Sequence, residues 1–280
     1  MGRGCTVTQR VREVSQPYGG YIRRRDMEVI PLGHGMEALH PEENISPSLM
    51  GVAVDYLTRC YTGTPLTKAL DTSIKGMLIL NRWNPEFSDK FKTLLNGIKE
   101  PIDEGLTNFA KLCCFDAAYR AGIMAYRPVE EVNPDQDTLE NIKIMVGRSI
   151  KFLEEYGPKT LDGFTFEGGY TDVIVAGDGD YLTNDGLWDF KVSKQRVDKD
   201  QTLQILIYWR MGLHSIHPEF RKIKYLGIFN PRKNEIHRIA VEDIPQDVID
   251  TVERDVIGYG ASVQQVADAA HGEQGATIHW

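Results

Sequence analysis

Apolar residues in the first half of the chain recur at spacings of three and four, which predicts amphipathic helices. Ser46 and Pro47 are typical of a helix N-terminus, and the apolar positions that follow continue to a stop at Gly63. Helices are predicted over about 46–62, after Pro65, over 102–126 and over about 138–156. Residues 1–157 are therefore expected to be mostly helical, although residues 1–45 show no sustained period.

The pattern changes at Gly157, where β-branched residues and turn sequences become frequent. Strands are predicted at 164–176 and 187–192, with turns at 177–180 and 183–186 between them, and a further hairpin at 225–229 and 236–241. Helices are predicted at 199–214 and about 244–257, whereas the tail 261–280 is too poor in large apolar residues to predict order. The expected core, 158–260, is a mixed sheet flanked by helices, which is an α/β (α+β) fold.

The composition indicates an ordinary globular chain. With 280 residues, 41% hydrophobic and 26% charged, it is neither disordered nor collagen-like. No apolar run approaches the roughly 20 residues that a membrane helix needs, and no signal peptide is expected. The four cysteines, of which Cys113 and Cys114 are adjacent, do not suggest a disulfide framework. These features predict a cytoplasmic protein with no membrane partner.

The formal net charge of −8 argues against a generic nucleic-acid binder, but the charge is unevenly distributed. Residues 1–25 contain six arginines against one glutamate, so the rest of the chain is strongly acidic. A basic arm on an acidic body can contact phosphates. The alternative is a solvated N-terminal face.

The segment Asp189-Phe190-Lys191, at the end of a predicted strand, is a candidate for chemistry. Residues two apart on a strand point to the same face, so Asp189 and Lys191 lie together, opposite the apolar Trp188. Asp172 falls on the preceding predicted strand, and a suitable register would bring its carboxylate to the same patch. Two carboxylates beside a lysine suit phosphodiester hydrolysis, because hard oxygen ligands select Mg²⁺ or Mn²⁺. The alternative is a salt bridge on a solvated face of the sheet.

The predicted helix at 199–214 carries Gln201, Gln204 and Tyr208 on one face, among large apolar residues. Polar side chains in so apolar a helix need partners. One interpretation is that these three side chains line a functional site. The alternative is that the two amides cap the edge of a sheet, while the tyrosine has a buried ring and a hydroxyl exposed to water.

These motifs in this order resemble the PD-(D/E)XK nuclease superfamily, and in particular its RecB-like branch, whose hallmark is a Gln-x-x-x-Tyr helix. The resemblance covers about residues 164–230 and rests on Gly169-x-x-Asp172, Asp189-Phe190-Lys191 and Gln204-x-x-x-Tyr208. It implies a restriction-endonuclease-like fold that binds Mg²⁺ or Mn²⁺.

The resemblance also implies roles for individual residues. Asp172, Asp189 and the main-chain carbonyl of Phe190 would be metal ligands, and Lys191 would be the catalytic lysine. Gln204 and Tyr208 would line the site and help to position DNA.

The family has an upstream helix that often supplies a His or Glu near the metal, and residues 51–56 resemble it. Asp55 stands where a histidine is common, so it is either a further metal ligand or a surface residue of an amphipathic helix. The expected activity is metal-dependent DNA hydrolysis, as an exonuclease or DNA-end-processing enzyme. The alternatives are a non-catalytic nucleic-acid-binding subunit and an interaction module of a repair, phage or defence complex.

Overall fold

The computed structural model describes residues 4–33, 35, 37–98 and 105–260. It is a mixed α/β structure in which a six-stranded mixed sheet is flanked by helices, which confirms the predicted fold class. The strands are β1 (Cys5–Thr6), β2 (Glu28–Pro31), β3 (Leu161–Thr165), β4 (Ile174–Ala176), β5 (Asp178–Leu182), β6 (Gly186–Phe190), β7 (Tyr225–Asn230) and β8 (Glu235–Ala240).

The helices of the described residues lie mainly before β3. They are α1 (Val7–Glu13), α2 (Pro47–Tyr61), α3 (Leu66–Ala69), α4 (Asp71–Asn81), α5 (Glu86–Asn96), α6 (Leu106–Cys113), α7 (Asp116–Arg120), α8 (Gln136–Tyr156), α9 (Lys199–Leu213) and α10 (Gln246–Thr251), which continues as a π-helical segment Val252–Ile257. No described helix combines the length and the apolar character that crossing a membrane requires.

The main sheet has the strand order β2-β8-β7-β6-β5-β3. Its single parallel pair, within the described residues, is β6 and β7, which are joined through α9, whereas the other neighbouring strands are antiparallel. Parallel strands need such a crossover connection, and here α9 begins beyond the C-terminal end of β6. A separate two-stranded sheet pairs β1 with β4.

Helices cover both faces of the main sheet. On one face, the Phe152 ring of α8 lies 5.0 Å from the Trp188 ring and 4.5 Å from the Phe229 ring. On the other face, α9 packs Leu203, Leu206 and neighbouring apolar residues onto the sheet. Helix α2 packs against α8, and a second apolar core joins them to α4–α6. The helical half is thereby fixed to the sheet beside β5 and β6.

The N-terminal segment completes the core. Helix α1 buries Val7 and Val11 in the same core as α9, and β2 forms the edge of the main sheet by pairing with β8. The core is therefore not confined to 158–260, because residues from the predicted arm supply one of its strands and one of its helices. The predicted tail 261–280 lies outside the described residues.

Most predicted elements of the second half are confirmed, including α9, the turn before β6 and the β7–β8 hairpin. The predicted strand 164–176 is wrong, because the chain turns at Gly168, where φ is +89°, and splits into β3 and β4 in different sheets. The predicted turn 177–180 is also wrong, since Asp178–Leu182 is a strand. In the helical half, the described part of the predicted 102–126 helix is broken after Cys113.

Candidate active site

A hairpin of β5 and β6 places two aspartates side by side. The strands pair Tyr181 with Trp188, and one further step of this antiparallel register sets Asp180 opposite Asp189. The side chain of Asp180 also reaches across the hairpin, where its Oδ2 accepts a hydrogen bond of 2.8 Å from the backbone N–H of Phe190. Asp180 is therefore held at the end of β6, next to Asp189.

Lys191 lies directly beside Asp189. Its ammonium is 3.1 Å from Oδ1 and 2.8 Å from Oδ2 of that carboxylate, of which only 4% is exposed. The contact with Oδ2 lacks hydrogen-bonding geometry, so Oδ2 is a buried oxygen with no hydrogen bond. The N–H of Lys191 donates to the carbonyl of Phe229 at 2.9 Å, which fixes this end of the strand against β7. The predicted sharing of one face by Asp189 and Lys191 is confirmed.

Helix α2 brings a third carboxylate and an arginine. Arg59 donates to both oxygens of Asp55, at 3.0 and 2.6 Å, one turn apart on the helix. The same guanidinium lies 3.7 Å from Asp180, so it connects α2 to the β5–β6 hairpin. The Arg59 side chain is 10% exposed and that of Asp55 is 17% exposed. Asp55 is thus a half-buried residue of the site and not a surface residue.

Two residues of the sheet position this pair. The Tyr181 hydroxyl lies 2.9 Å from Asp55 Oδ1 and donates to it, while the Tyr181 ring is fully buried. Gly163 of β3 leaves room for the guanidinium, because a Cβ there would lie 2.2 Å from Arg59 Nη1. The position of Asp55 therefore depends on contacts with both α2 and the sheet.

Helix α9 contributes Gln204 and Tyr208, as the sequence predicts. The Gln204 amide donates to the Tyr208 hydroxyl at 2.6 Å, and the Tyr208 ring stacks on Phe166 with centroids 5.1 Å apart. Burial, followed by the nearby carboxylates of Asp189 and Asp178, raises the pKa of Tyr208. The acidic residues of β5 and β6 are thus close enough to Tyr208 to disfavour its ionisation, and its side chain is almost fully buried.

The charges at the site are not balanced. Burial, together with the carboxylates of Asp189 and Asp55, raises the pKa of Asp180 to about 8. Burial also raises the pKa of Asp189. Burial alone would lower the pKa of Lys191, but Asp189 and Asp180 outweigh it and raise that pKa. Three carboxyl groups therefore share two cations, and without a further cation Asp180 keeps its proton up to about pH 8.

Asp172 does not belong to this cluster. It is an exposed residue in the bend before β4, a strand that pairs with β1 outside the main sheet. Within the described residues, its carboxylate makes no hydrogen bond and no ion pair. The sequence-based expectation that Asp172 shares a hairpin with Asp189 is therefore wrong, and Asp180 occupies that position instead.

The missed residue had a signal in the sequence. Gly177-x-x-Asp180 repeats the Gly-x-x-Asp pattern of Gly169-x-x-Asp172 closer to Asp189. The predicted turn at 183–186 lies midway between Asp180 and Asp189, which is the arrangement that a hairpin needs to set two residues opposite each other. Arg59 and Tyr181 had no comparable signal, because their contacts depend on how α2 packs.

The residues of the hairpin fit a divalent cation. Asp180, Asp189 and the Phe190 carbonyl offer hard oxygen ligands, and the buried Asp189 Oδ2 has no hydrogen bond. Across the described ranges, His40, Asp137 and Glu140 are the one set of three such side chains whose ligand atoms all lie within 4.8 Å of one another. Both ring nitrogens of His40 already face these carboxylates, at 3.6 and 2.7 Å, so that set is explained as an ion-pair cluster.

Comparisons of the chain with protein-family models, with curated proteins and with solved structures found no match. Any functional assignment therefore rests on the geometry of the residues described above.

Proposed function

We propose that this protein is a metal-dependent DNA nuclease of the PD-(D/E)XK superfamily, RecB-like branch. The observation that carries the proposal is the β5–β6 hairpin, which sets Asp180 against Asp189 with the Lys191 ammonium alongside. A salt bridge that served stability alone would leave no need for a third carboxylate or for a buried carboxylate oxygen without a hydrogen bond. Phosphodiester hydrolysis uses both features.

The residues that would hold Mg²⁺ or Mn²⁺ are Asp180, Asp189 and, through its carbonyl, Phe190. When bound, the cation polarises a phosphoryl oxygen and lowers the pKa of a coordinated water. Asp55, held by Arg59 and Tyr181, adds negative charge beside the same hairpin and can supply a further oxygen ligand.

Lys191 would act on the phosphate itself. Its side chain is 28% exposed, so it can reach a substrate while it remains paired with Asp189. Placed there, it stabilises the negative charge that develops on the phosphoryl oxygens during attack. Gln204 and Tyr208, linked by their 2.6 Å hydrogen bond, would help to orient the strand, as the resemblance to the RecB-like nucleases implies.

The test is hydrolysis of end-labelled DNA in Mg²⁺ or Mn²⁺, with two matched carboxylate variants. Asp180→Asn should abolish cleavage, because it removes a metal ligand and retains the shape. Asp172→Asn, the equivalent change at an exposed carboxylate outside the cluster, should leave the rate unchanged. Lys191→Ala should lower the rate by about 10²-fold or more while DNA is still bound.

Circular dichroism and unfolding curves of each variant would confirm that the fold is retained. Cleavage that survives Asp180→Asn, or that Asp172→Asn removes equally, would contradict the proposed site. Salt-sensitive DNA binding with no turnover in the wild type would favour a non-catalytic binding subunit on a nuclease-like scaffold.

A further inference from the structure

A second feature of the molecule lies at the opposite end of β6 from Asp189. A cavity of about 750 Å³ opens there between the end of α8, the β5–β6 turn and the start of β7. Its lining residues include Tyr156, Arg221, Lys222, Lys224, Tyr225 and Arg238. Strands rise about 3.3 Å per residue, so Gly186, at the cavity end of β6, is roughly 10 Å along the strand from Asp189.

Three cations at the cavity form no ion pair with a described residue, although the carboxylates of Glu155 and Asp185 also line it. Arg221, Lys222 and Lys224 are exposed, and their side chains form neither ion pairs nor hydrogen bonds with any described residue. They follow one another closely because a 3₁₀ helix, Pro218–Lys222, leads directly into the start of β7. The backbone N–H of Lys224 donates to the Asp185 carbonyl at 2.7 Å, which anchors this segment to the β5–β6 turn.

The fourth cation has a different environment. Arg238 donates to Glu28 at 2.8 Å and lies over the Tyr225 ring, 4.7 Å from its centroid. The aromatic ring of Tyr156, whose centroid is 5.5 Å from that of Trp188, adds an apolar side to the cavity. The cavity therefore combines unpaired positive charge with aromatic surface.

We propose that this cavity binds a phosphate-bearing ligand. Its volume lies within the usual range of small-ligand sites. Unpaired Lys and Arg side chains are the groups that bind phosphate oxygens, and an adjacent aromatic ring accommodates a base or sugar. In a chain with a net charge of −8, these neighbouring cations, which form no ion pair in the described part of the chain, are a local excess of positive charge. The ligand is either a free nucleotide or a phosphodiester strand, which present the same chemistry.

The experiment measures binding without catalysis, in EDTA, with two probes. ATP is titrated by calorimetry, and a short fluorescein-labelled single-stranded oligonucleotide is titrated by fluorescence anisotropy over a range of salt concentrations. The test variant is Arg221→Gln/Lys222→Gln/Lys224→Gln. The control is Lys68→Gln/Arg82→Gln/Lys92→Gln, which removes the same charge from three exposed cations of the helical half, outside the basic N-terminal arm.

The cavity variant is expected to bind at least one probe about tenfold or more weakly than the control variant, because each charge-assisted hydrogen bond contributes on that scale. Weaker binding of ATP identifies a nucleotide, and weaker binding of the oligonucleotide alone identifies a strand. Failure of both probes to bind the wild type, or equal weakening in the two variants, overturns the proposal. Because no cleavage is measured, the outcome is independent of the nuclease proposal.

Discussion

Replacing Arg59 with glutamine should separate the role of the arginine in stability from the affinity of the cluster for a cation. Arg59 makes two hydrogen bonds to Asp55 and lies 3.7 Å from Asp180. Its guanidinium also lies 5.6 and 5.7 Å from the ring centroids of Tyr56 and Tyr181. Glutamine keeps part of the side-chain volume but none of the charge, so the three carboxyl groups would then have Lys191 as their one remaining cation in the cluster.

The size of the effect follows from the burial of the pair. Removing one partner of a fully buried ion pair costs about 3–5 kcal/mol, because the other charge is left without compensation. Arg59 and Asp55 are 10% and 17% exposed, so water offsets part of that cost. We expect the free energy of unfolding in EDTA to fall by about 2–4 kcal/mol. A divalent cation bound at the cluster would restore about 2.7 kcal/mol when its concentration is 100 times its dissociation constant.

Urea unfolding with EDTA and with excess Mg²⁺ measures both quantities. Arg210→Gln is a matched control, because Arg210 donates to Glu253 at 2.8 and 2.6 Å with comparable burial, and neither residue belongs to the acidic cluster. Both variants should lose stability in EDTA, but Mg²⁺ should stabilise Arg59→Gln more than Arg210→Gln. Absence of stabilisation by Mg²⁺ in both variants would refute the reasoning that the carboxylates form a cation site, and equal stabilisation would show that Arg59 does not compete with the cation.

Three further predictions concern the β5–β6 hairpin and the strand β7 beside it. The pKa of Asp180 is raised to about 8 from 3.8, so between about pH 4 and 8 the folded state keeps a proton that the unfolded state has lost. The free energy of unfolding in EDTA should therefore fall as the pH rises through that window, and it should fall less in Asp180→Asn. Unfolding curves at several pH values would measure this difference. Tyr181→Phe removes the hydrogen bond to Asp55 and should cost about 0.5–1.5 kcal/mol in urea unfolding and raise the Mg²⁺ concentration needed for cleavage. Gly227→Ala places a Cβ 2.1 Å from the Trp188 ring and should lower the unfolding free energy by about 1–3 kcal/mol, whereas an unchanged midpoint would show that the ring can shift.

The parts of the fold that the sequence predicts well are those with a strong local signal. Helix α2 begins at Pro47, where Ser46 accepts a hydrogen bond from the N–H of Leu49, as the predicted N-cap requires. Helix α9 likewise matches its apolar period closely. On it, Gln204 and Tyr208 are found together because they are four residues apart on a helix, a spacing that is visible in the sequence.

The parts that the sequence predicts poorly depend on tertiary contacts. Asp178-Gly179-Asp180 has the composition of a turn, yet it forms the first part of β5, because pairing with β3 and the hydrogen bond to Phe190 outweigh the low strand propensity of Asp and Gly. Such a local conflict is expected where function places charged residues in a sheet. Because this segment has the sequence of a turn, the pattern predicts Asp172 and not Asp180 as the neighbour of Asp189.

The position of β2 at the edge of the main sheet has a consequence for how the chain folds. The strand is separated from its neighbour β8 by about 200 residues, so that edge closes only after the intervening chain has folded. A truncated chain that begins at residue 158 would leave the backbone donors and acceptors of β8 uncovered along that side. An unprotected strand of this kind pairs with other copies, so we expect such a fragment to aggregate. The helices from α2 to α8 thus lie in the sequence between β2 and the other strands of the main sheet. The sheet is complete only when both parts of the chain are present.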